Sequence, residues 1–474
     1  MKKFISVLMV VLMACLLFGC GGGNGGSSKN KEIVVWVGEE SADFYQEICN
    51  KYAEENELPY TITVKGMDTG AVAGTVTNDP SAAADIYTVA HDNIGKLAST
   101  QCAKPFTDEA LIAQVLADNP ASFQNVIYST LDGKQYLYGV PYISQALFMY
   151  YNKEKVSEEQ AQTFEGLREA AQAAGTKAIT VTGDDGFNMS FALLATNVVD
   201  HSTTVKIFEG AEAVSGGSKG TSNCQGDDTV AIVRWLQDYA EDPNGFKWAS
   251  SDGWDADLRN GGALAVIGGA WHYNTAKAAL GESNLGIALI PTFTLTPKAC
   301  EGLEGVKAGD TFRGGTFADC KVFMINAHSD ADKYSALQDI VKYLSSKEVQ
   351  NESYLNCLNV PAYVGASEYI KSCYDAGKLT ESEYNLAAKQ VEMAEWGIPQ
   401  PFLTGSLNTY YYSKNAPAVF RAMIDKTAYP TTGDVLVEET ESLEGVRKGL
   451  YLMEYLWMHG VNPDSFPEDL PKQA

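Results

Sequence analysis

The sequence predicts an α/β protein of two or more domains built on doubly wound sheets. Three observations carry this expectation. At 474 residues the chain is too long for a single hydrophobic core. Its amino-terminal part alternates strand and helix patterns, which implies a parallel sheet. Finally, Ala263 to Ile267 (ALAVI) is apolar throughout and bounded by glycine pairs on both sides, the pattern of a strand buried on both faces. Trp271 and Tyr273 follow just after Gly268-Gly269, which places flat aromatic surface at a strand's carboxyl end, where open α/β sheets bind ligands.

The elements follow in order. Ile33 to Val37 (IVVWV) is a continuous β-branched run, hence a buried strand, and a helix carrying Phe44, Ile48 and Tyr52 on one face comes next. Tyr60 to Val64 and Asp85 to Val89 read as further strands, linked by the crossover Thr69 to Thr77. Ala90-His91-Asp92-Asn93 then falls at a strand end, with a helix starting near Asn93, so its polar side chains point into the crevice. Asp132-Gly133-Lys134 is a hairpin-like turn. Beyond it two strand-like runs meet around Ser144 and Gln145 without a helix between them, which suits a crossing between domains.

Gln162 to Ala174 predicts a helix closed by Gly175, and Lys177 to Thr182 a strand that delivers Asp184-Asp185-Gly186-Phe187 to its end. Ser202 to Asp228 is small and polar and reads as an irregular insertion, before an amphipathic helix over Thr229 to Glu241. Gly286 to Ile290 is a strand that Pro291 ends, and Val322 to Ile325 a further short strand. The tail from Glu381 to His459 is mostly helical, interrupted by a Pro/Gly loop before Tyr410-Tyr411-Tyr412.

Charge narrows the choice of partners. The formal net charge of -25 falls by two more once a leader carrying Lys2 and Lys3 is removed, and such a surface repels nucleic acid and anionic lipid. The leader itself is legible: Met1-Lys2-Lys3, an apolar run from Phe4 to Phe18, then Gly19-Cys20. Leu17-Phe18-Gly19-Cys20 resembles the lipobox of bacterial lipoproteins, which implies lipidation at Cys20. A plain secretory signal is the competing reading. Gly21 to Glu32 cannot bury anything and is expected to be a flexible tether. Its glycines lack the Gly-Lys-Ser/Thr of a phosphate cradle. Cys49, Cys102, Cys224, Cys300, Cys320, Cys357 and Cys373 show neither metal nor disulfide spacing and read as buried free thiols, so neither cofactor nor metal is expected.

The pieces IVVWV, DIYTVAHDNIGKLA, DGKQYLYGVPYISQALFMYYNKEKV, QTFEGL, GGALAVIGGAWHYNTAKAALGESNLGIALIPTF and the tyrosine cluster at 410–412, in this order and spacing, resemble lipid-anchored extracellular solute-binding proteins of ABC importers, in the maltodextrin-binding branch. The resemblance spans nearly the whole mature chain. It implies a type II periplasmic-binding-protein-like fold in which 33–143 and 292–350 form one lobe and 144–291 and 351–474 the other, after a signal peptide over 1–19 and a lipid-anchored linker over 20–32. It further implies a non-catalytic carrier, present as a monomer at the extracytoplasmic face, attached to the plasma membrane only through its anchor. That carrier captures an oligosaccharide, most specifically a maltooligosaccharide, for ABC permease subunits.

By the same resemblance, Trp271 takes the place of the main sugar-stacking tryptophan and Asp92 that of the carboxylate in an Ala-His-Asp motif. Asp185 and Phe187 match an acid-x-aromatic pair, Glu39 an acidic ligand after the first strand, and Tyr411 or Tyr410 a second stacking ring. The chain departs from the branch at Val89, Asn93 and Gln145, where the branch carries Trp, Arg and Glu. Asn93, Gln145 and Tyr273 complete the candidate binding residues. These residue types suit a pyranose, whose C–H faces stack on rings and whose hydroxyls meet carboxylates and amides. Each has a structural alternative: Trp271 in a core, Asp92 capping a helix, Asp185 in a turn, Glu39 at a solvated helix start. Tyr410, Tyr411 and Tyr412 cannot all face one pocket. A different sugar, another small solute on the same scaffold, or a secreted glycoside hydrolase are the competing functions.

Overall fold

The structure, a computed structural model, describes residues 32–202, 206–214, 217–250, 253–401, 415–429, 442–459, 461, 463 and 466. The first sheet forms from the β-branched runs seen in the sequence. Strand Glu32–Gly38 lies between Thr61–Met67 and Ile86–Ala90 and pairs with both in parallel. Its register brings Val35 beside Ile86, and the alternate side chains bury into a core with Ile33, Val322 and Phe323. The helices Ala42–Glu55 and Thr69–Asn78 are the crossovers. In the first of them Tyr45, Ile48 and Cys49 are buried while Phe44 and Tyr52 are only half-buried, so the core-facing stripe is rotated by about one residue from that expected.

The second sheet runs in the order Phe246–Ala249, Lys177–Thr182, Ala263–Gly268, Phe148–Asn152, Leu285–Ala288. All six residues of Ala263–Gly268 are buried at its centre, as its unbroken apolar run requires. Helix Phe164–Ala174 packs beside it and ends at Gly175, whose φ of 66° is the left-handed conformation a helix stop needs.

Two strands connect the lobes, and the chain crosses a third time between Ala362 of the first core and Leu386 of the second. Val140–Ala146 and Thr316–Asn326 pair with each other antiparallel, and the latter also adds to the first sheet beside Ile86–Ala90. Along Val140–Ala146 the side chains change allegiance, with Ile143 in the first core and Ala146 in the second. The return crossing falls later than residue 292, the position the sequence suggested. Phe293, Leu295, Ala299, Phe312 and Phe317 all bury in the second core, and the chain rejoins the first only at Cys320 and Val322. A run of aromatic residues on two short strands, Thr292–Thr294 and Thr311–Arg313, draws this segment onto Trp235 and Phe164.

The segment expected to be irregular contains a hairpin, Lys206–Val214 paired with Gly217–Asn223. It leaves the second lobe and lies beside helix Ile94–Ser99 and strand Tyr128–Leu131 of the first. Of the seven thiols, Cys300 and Cys357 are half-buried rather than buried, and all seven are free. No described helix is long and apolar enough to cross a membrane.

Candidate functional site

A pocket of about 310 Å³ opens between the lobes. From the first lobe come Thr69, Ala90, Asp92 and Asn93, from the second Phe187 and Trp271, from the connecting strands Gln145 and Lys321, and from the segment after helix Glu381–Ala394 Gln400. The aromatic wall follows from local backbone chemistry. Ala263–Gly268 ends in two glycines, and a Cβ on Gly269 would lie 2.2 Å from the Trp271 ring, so only glycine lets the indole lie flat over the backbone. Trp271 is 44% exposed, which sets aside its reading as a core residue. Its ring centroid is 5.9 Å from that of Phe187, which in turn stacks on Phe317.

Opposite stands Asp92, in the tight turn His91–Asn93 that follows strand Ile86–Ala90. It makes no side-chain cap bond to the helix Ile94–Ser99, and one oxygen accepts from Asn93 Nδ2 at 3.1 Å. Burial pushes its carboxyl well above the usual range, and Asp319 raises it further. Asp319 is fully buried behind the pocket floor. Gln145 Nε2 donates to one of its oxygens at 3.0 Å and Gln400 Nε2 to the other at 2.7 Å, while His91 Nδ1 lies 3.8 Å away. His91 Nε2 also meets Gln400 O at 2.9 Å. Burial raises the Asp319 carboxyl as well, against the lowering effects of His91, Gln400 and Gln145. The network ties the first lobe, both connecting strands and the segment after helix Glu381–Ala394 to one buried carboxylate.

The structure thus brings together Trp271, Phe187, Asp92, Asn93 and Gln145 of the expected residues. Three others lie elsewhere. Asp185 caps helix Gly186–Leu193, accepting from Asn188 N at 2.7 Å and Asn188 Nδ2 at 2.8 Å, so both oxygens are engaged and it is absent from the pocket lining. Glu39 is exposed on a single turn after the first strand and is likewise absent from the lining. Tyr273 is buried, its hydroxyl 2.7 Å from Ser382 Oγ, because it begins the helix Tyr273–Leu280 on the face turned toward helix Glu381–Ala394. Tyr410, Tyr411 and Cys20 lie outside the described residues. Val89, where the resemblance expects a ring, is fully buried in the first core.

Sequence reasoning missed Asp319, Lys321, Gln400 and Thr69. The signal for the first two was present: Asp319 and Lys321 are charges two residues apart in an apolar run, and alternate residues of a strand share a face. Among the described residues no group of three or more acidic, histidine or cysteine side chains could hold a metal ion.

Two α/β lobes with a pocket between them, joined by paired strands, define a two-lobe binding protein. The chain belongs to the bacterial extracellular solute-binding protein family, whose profile matches residues 47–367. A maltooligosaccharide ABC transporter solute-binding lipoprotein of Streptococcus pneumoniae is 25% identical over 390 residues, covering 79% of this chain and 84% of that protein. The maltodextrin-binding protein MdxE of Bacillus subtilis is 27% identical over 307 residues, 62% of this chain and 68% of its own. In structure the chain is similar to MalX of Streptococcus pneumoniae in complex with maltopentaose (TM-score 0.61, 17% identity, 90% of this chain and 98% of that one). It is also similar to MalE of Listeria monocytogenes in complex with maltose (TM-score 0.64, 18% identity, with the same coverage). At such identities the structural likeness establishes the fold.

Proposed function

We propose that this protein is a non-catalytic carrier that captures a maltooligosaccharide between its lobes and delivers it to an ABC permease, held at the extracytoplasmic face by an acylated Cys20. The single observation that carries the reading is the aromatic wall of Trp271 and Phe187 facing Asp92 and Asn93 across one pocket. That arrangement suits a pyranose: C–H faces against rings, hydroxyls against a carboxylate and amides. The relatives, a maltooligosaccharide ABC transporter solute-binding lipoprotein and a maltodextrin-binding protein, point the same way.

Magnitudes divide the work. A stacked ring that removes ~50 Å² of apolar sugar surface contributes roughly 1 kcal/mol. Micromolar affinity needs about -8 kcal/mol, so polar contacts must supply most of it. Asp92, Asn93 and Gln145 are the contacts assigned to that task, and closure of the lobes would strengthen them by excluding water. Asp185, with both oxygens committed to a helix cap, is assigned to the scaffold.

Isothermal titration with maltose through maltoheptaose tests this. Saturable one-to-one binding of at least one of them is expected, with every sugar recovered unshortened by chromatography after long incubation. Absence of binding across the series, or shortened products, would overturn the proposal.

A further inference from the structure

The pocket contains one cationic side chain, Lys321, among the described residues that line it. It stands midway along the connecting strand Thr316–Asn326, paired with Ala90 on one side and with Ile143 on the other. Each of those partners lies two residues before a polar pocket residue, Asp92 or Gln145. A lysine here is costly, because its ammonium loses hydration in the floor of a cleft and that loss holds its pKa below the usual lysine range. Its compensation is at long range. Glu40 and Asp68 act on it through their fields and raise the pKa again, but no described side chain accepts a hydrogen bond from it or pairs with it within 4 Å. Asp68 is engaged elsewhere, capping helix Thr69–Asn78 at 3.0 Å, and Glu40 folds back against Gly38.

An ammonium carries three donors and no acceptor, and a donor left in a cleft without a partner among the described residues is matched by a ligand that brings acceptor oxygens. We propose that Lys321 is a ligand-contacting, specificity-determining residue that donates hydrogen bonds to hydroxyl or ring oxygens of the sugar at the floor of the cleft. The assignment rests on the carbohydrate reading above. Lys321 then adds a charged donor to a pocket that Asp92 and Gln145 line with acceptor oxygens. Removal of the sugar oxygen that meets it would leave the ammonium unmatched.

Lys321→Met, of similar length and without charge, separates a ligand contact from a structural one. Calorimetric titration with maltotetraose is expected to show affinity weakened roughly ten- to a hundredfold, the range of one or two charge-assisted hydrogen bonds. The ligand-free melting temperature should stay level or rise, because a desolvated charge offset only at long range is removed. Lys321→Gln gives the same comparison if the methionine variant does not fold. A variant that binds as tightly as the wild type overturns this assignment alone. A variant that melts well below the wild type makes Lys321 a structural partner of Glu40 and Asp68 and also overturns it. If the wild type itself binds no member of the series, the functional reading fails and this assignment with it.

Discussion

At the scale of single residues, the site rests on one exposed ring and two buried carboxylates. Trp271→Ala is expected to weaken maltooligosaccharide binding by about 1–3 kcal/mol, measured calorimetrically, with an unchanged circular dichroism spectrum, since the indole lies on the surface of the pocket. Asp92 and Asp319 predict a pH dependence whose sign is opposite to that of a salt-bridged acid. Both carboxyls are raised in the folded protein, by burial first, whereas in the unfolded chain they titrate near pH ~4. Their contribution to stability is therefore fully present below that pH and is lost as pH rises through the folded values. Asp92→Asn, which removes one charge, should raise the ligand-free melting temperature at pH 7.5 and raise it less at pH 5. An equal shift at both pH values would show that Asp92 carries no such burden. Trp271, Phe187 and Asp92 were legible in the sequence because strand ends mark ligand crevices. Asp319 showed in the sequence only as a charge within an apolar run, since its role depends on Gln145 and Gln400, 174 and 81 residues away in the chain.

At the scale of elements, the connecting strand Thr316–Asn326 decides the geometry. It carries Asp319 and Lys321, pairs with both Ile86–Ala90 and Val140–Ala146, and starts directly after Gly315. Gly315 N donates to Phe191 O at 2.8 Å, and a Cβ there would sit 1.7 Å from the Leu194 carbonyl oxygen. Gly315→Ala must therefore displace the end of helix Gly186–Leu193, and with it Phe187. A loss of about 2 kcal/mol or more in denaturant-derived stability is expected, with weakened sugar binding. Unaltered stability would mean that the helix end yields freely. The sequence revealed only the apolar half of this strand, Val322 to Ile325, because the charges at 319 and 321 interrupt the hydrophobic run that marks a buried strand. The hairpin over 206–223 was hidden for the opposite reason: its strands are rich in Gly, Ser, Glu and Lys, weak strand formers whose pairing depends on neighbours.

At the scale of the whole molecule, two cores share two strands and are joined once more by the chain between Ala362 and Leu386, so that three crossings carry any approach of the lobes. The two-lobe plan was readable from length and from the β-α-β-α-β series. The second lobe's claim on Phe293 to Phe317 was not, since those aromatics have no periodic partner nearby and find Trp235, Phe164 and Phe187 only in space. The proposed acylation of Cys20 predicts that Cys20→Ser releases the protein into the medium, which fractionation and immunoblotting would register. A variant that stays with the membrane would remove the acyl anchor from the account. The most direct measurement is a crystal structure grown with maltotetraose. Sugar density is expected between the lobes, with one pyranose face against Trp271 and hydroxyls within hydrogen-bond reach of Asp92. Sugar bound elsewhere, with an unoccupied pocket between Trp271 and Asp92, would contradict this expectation.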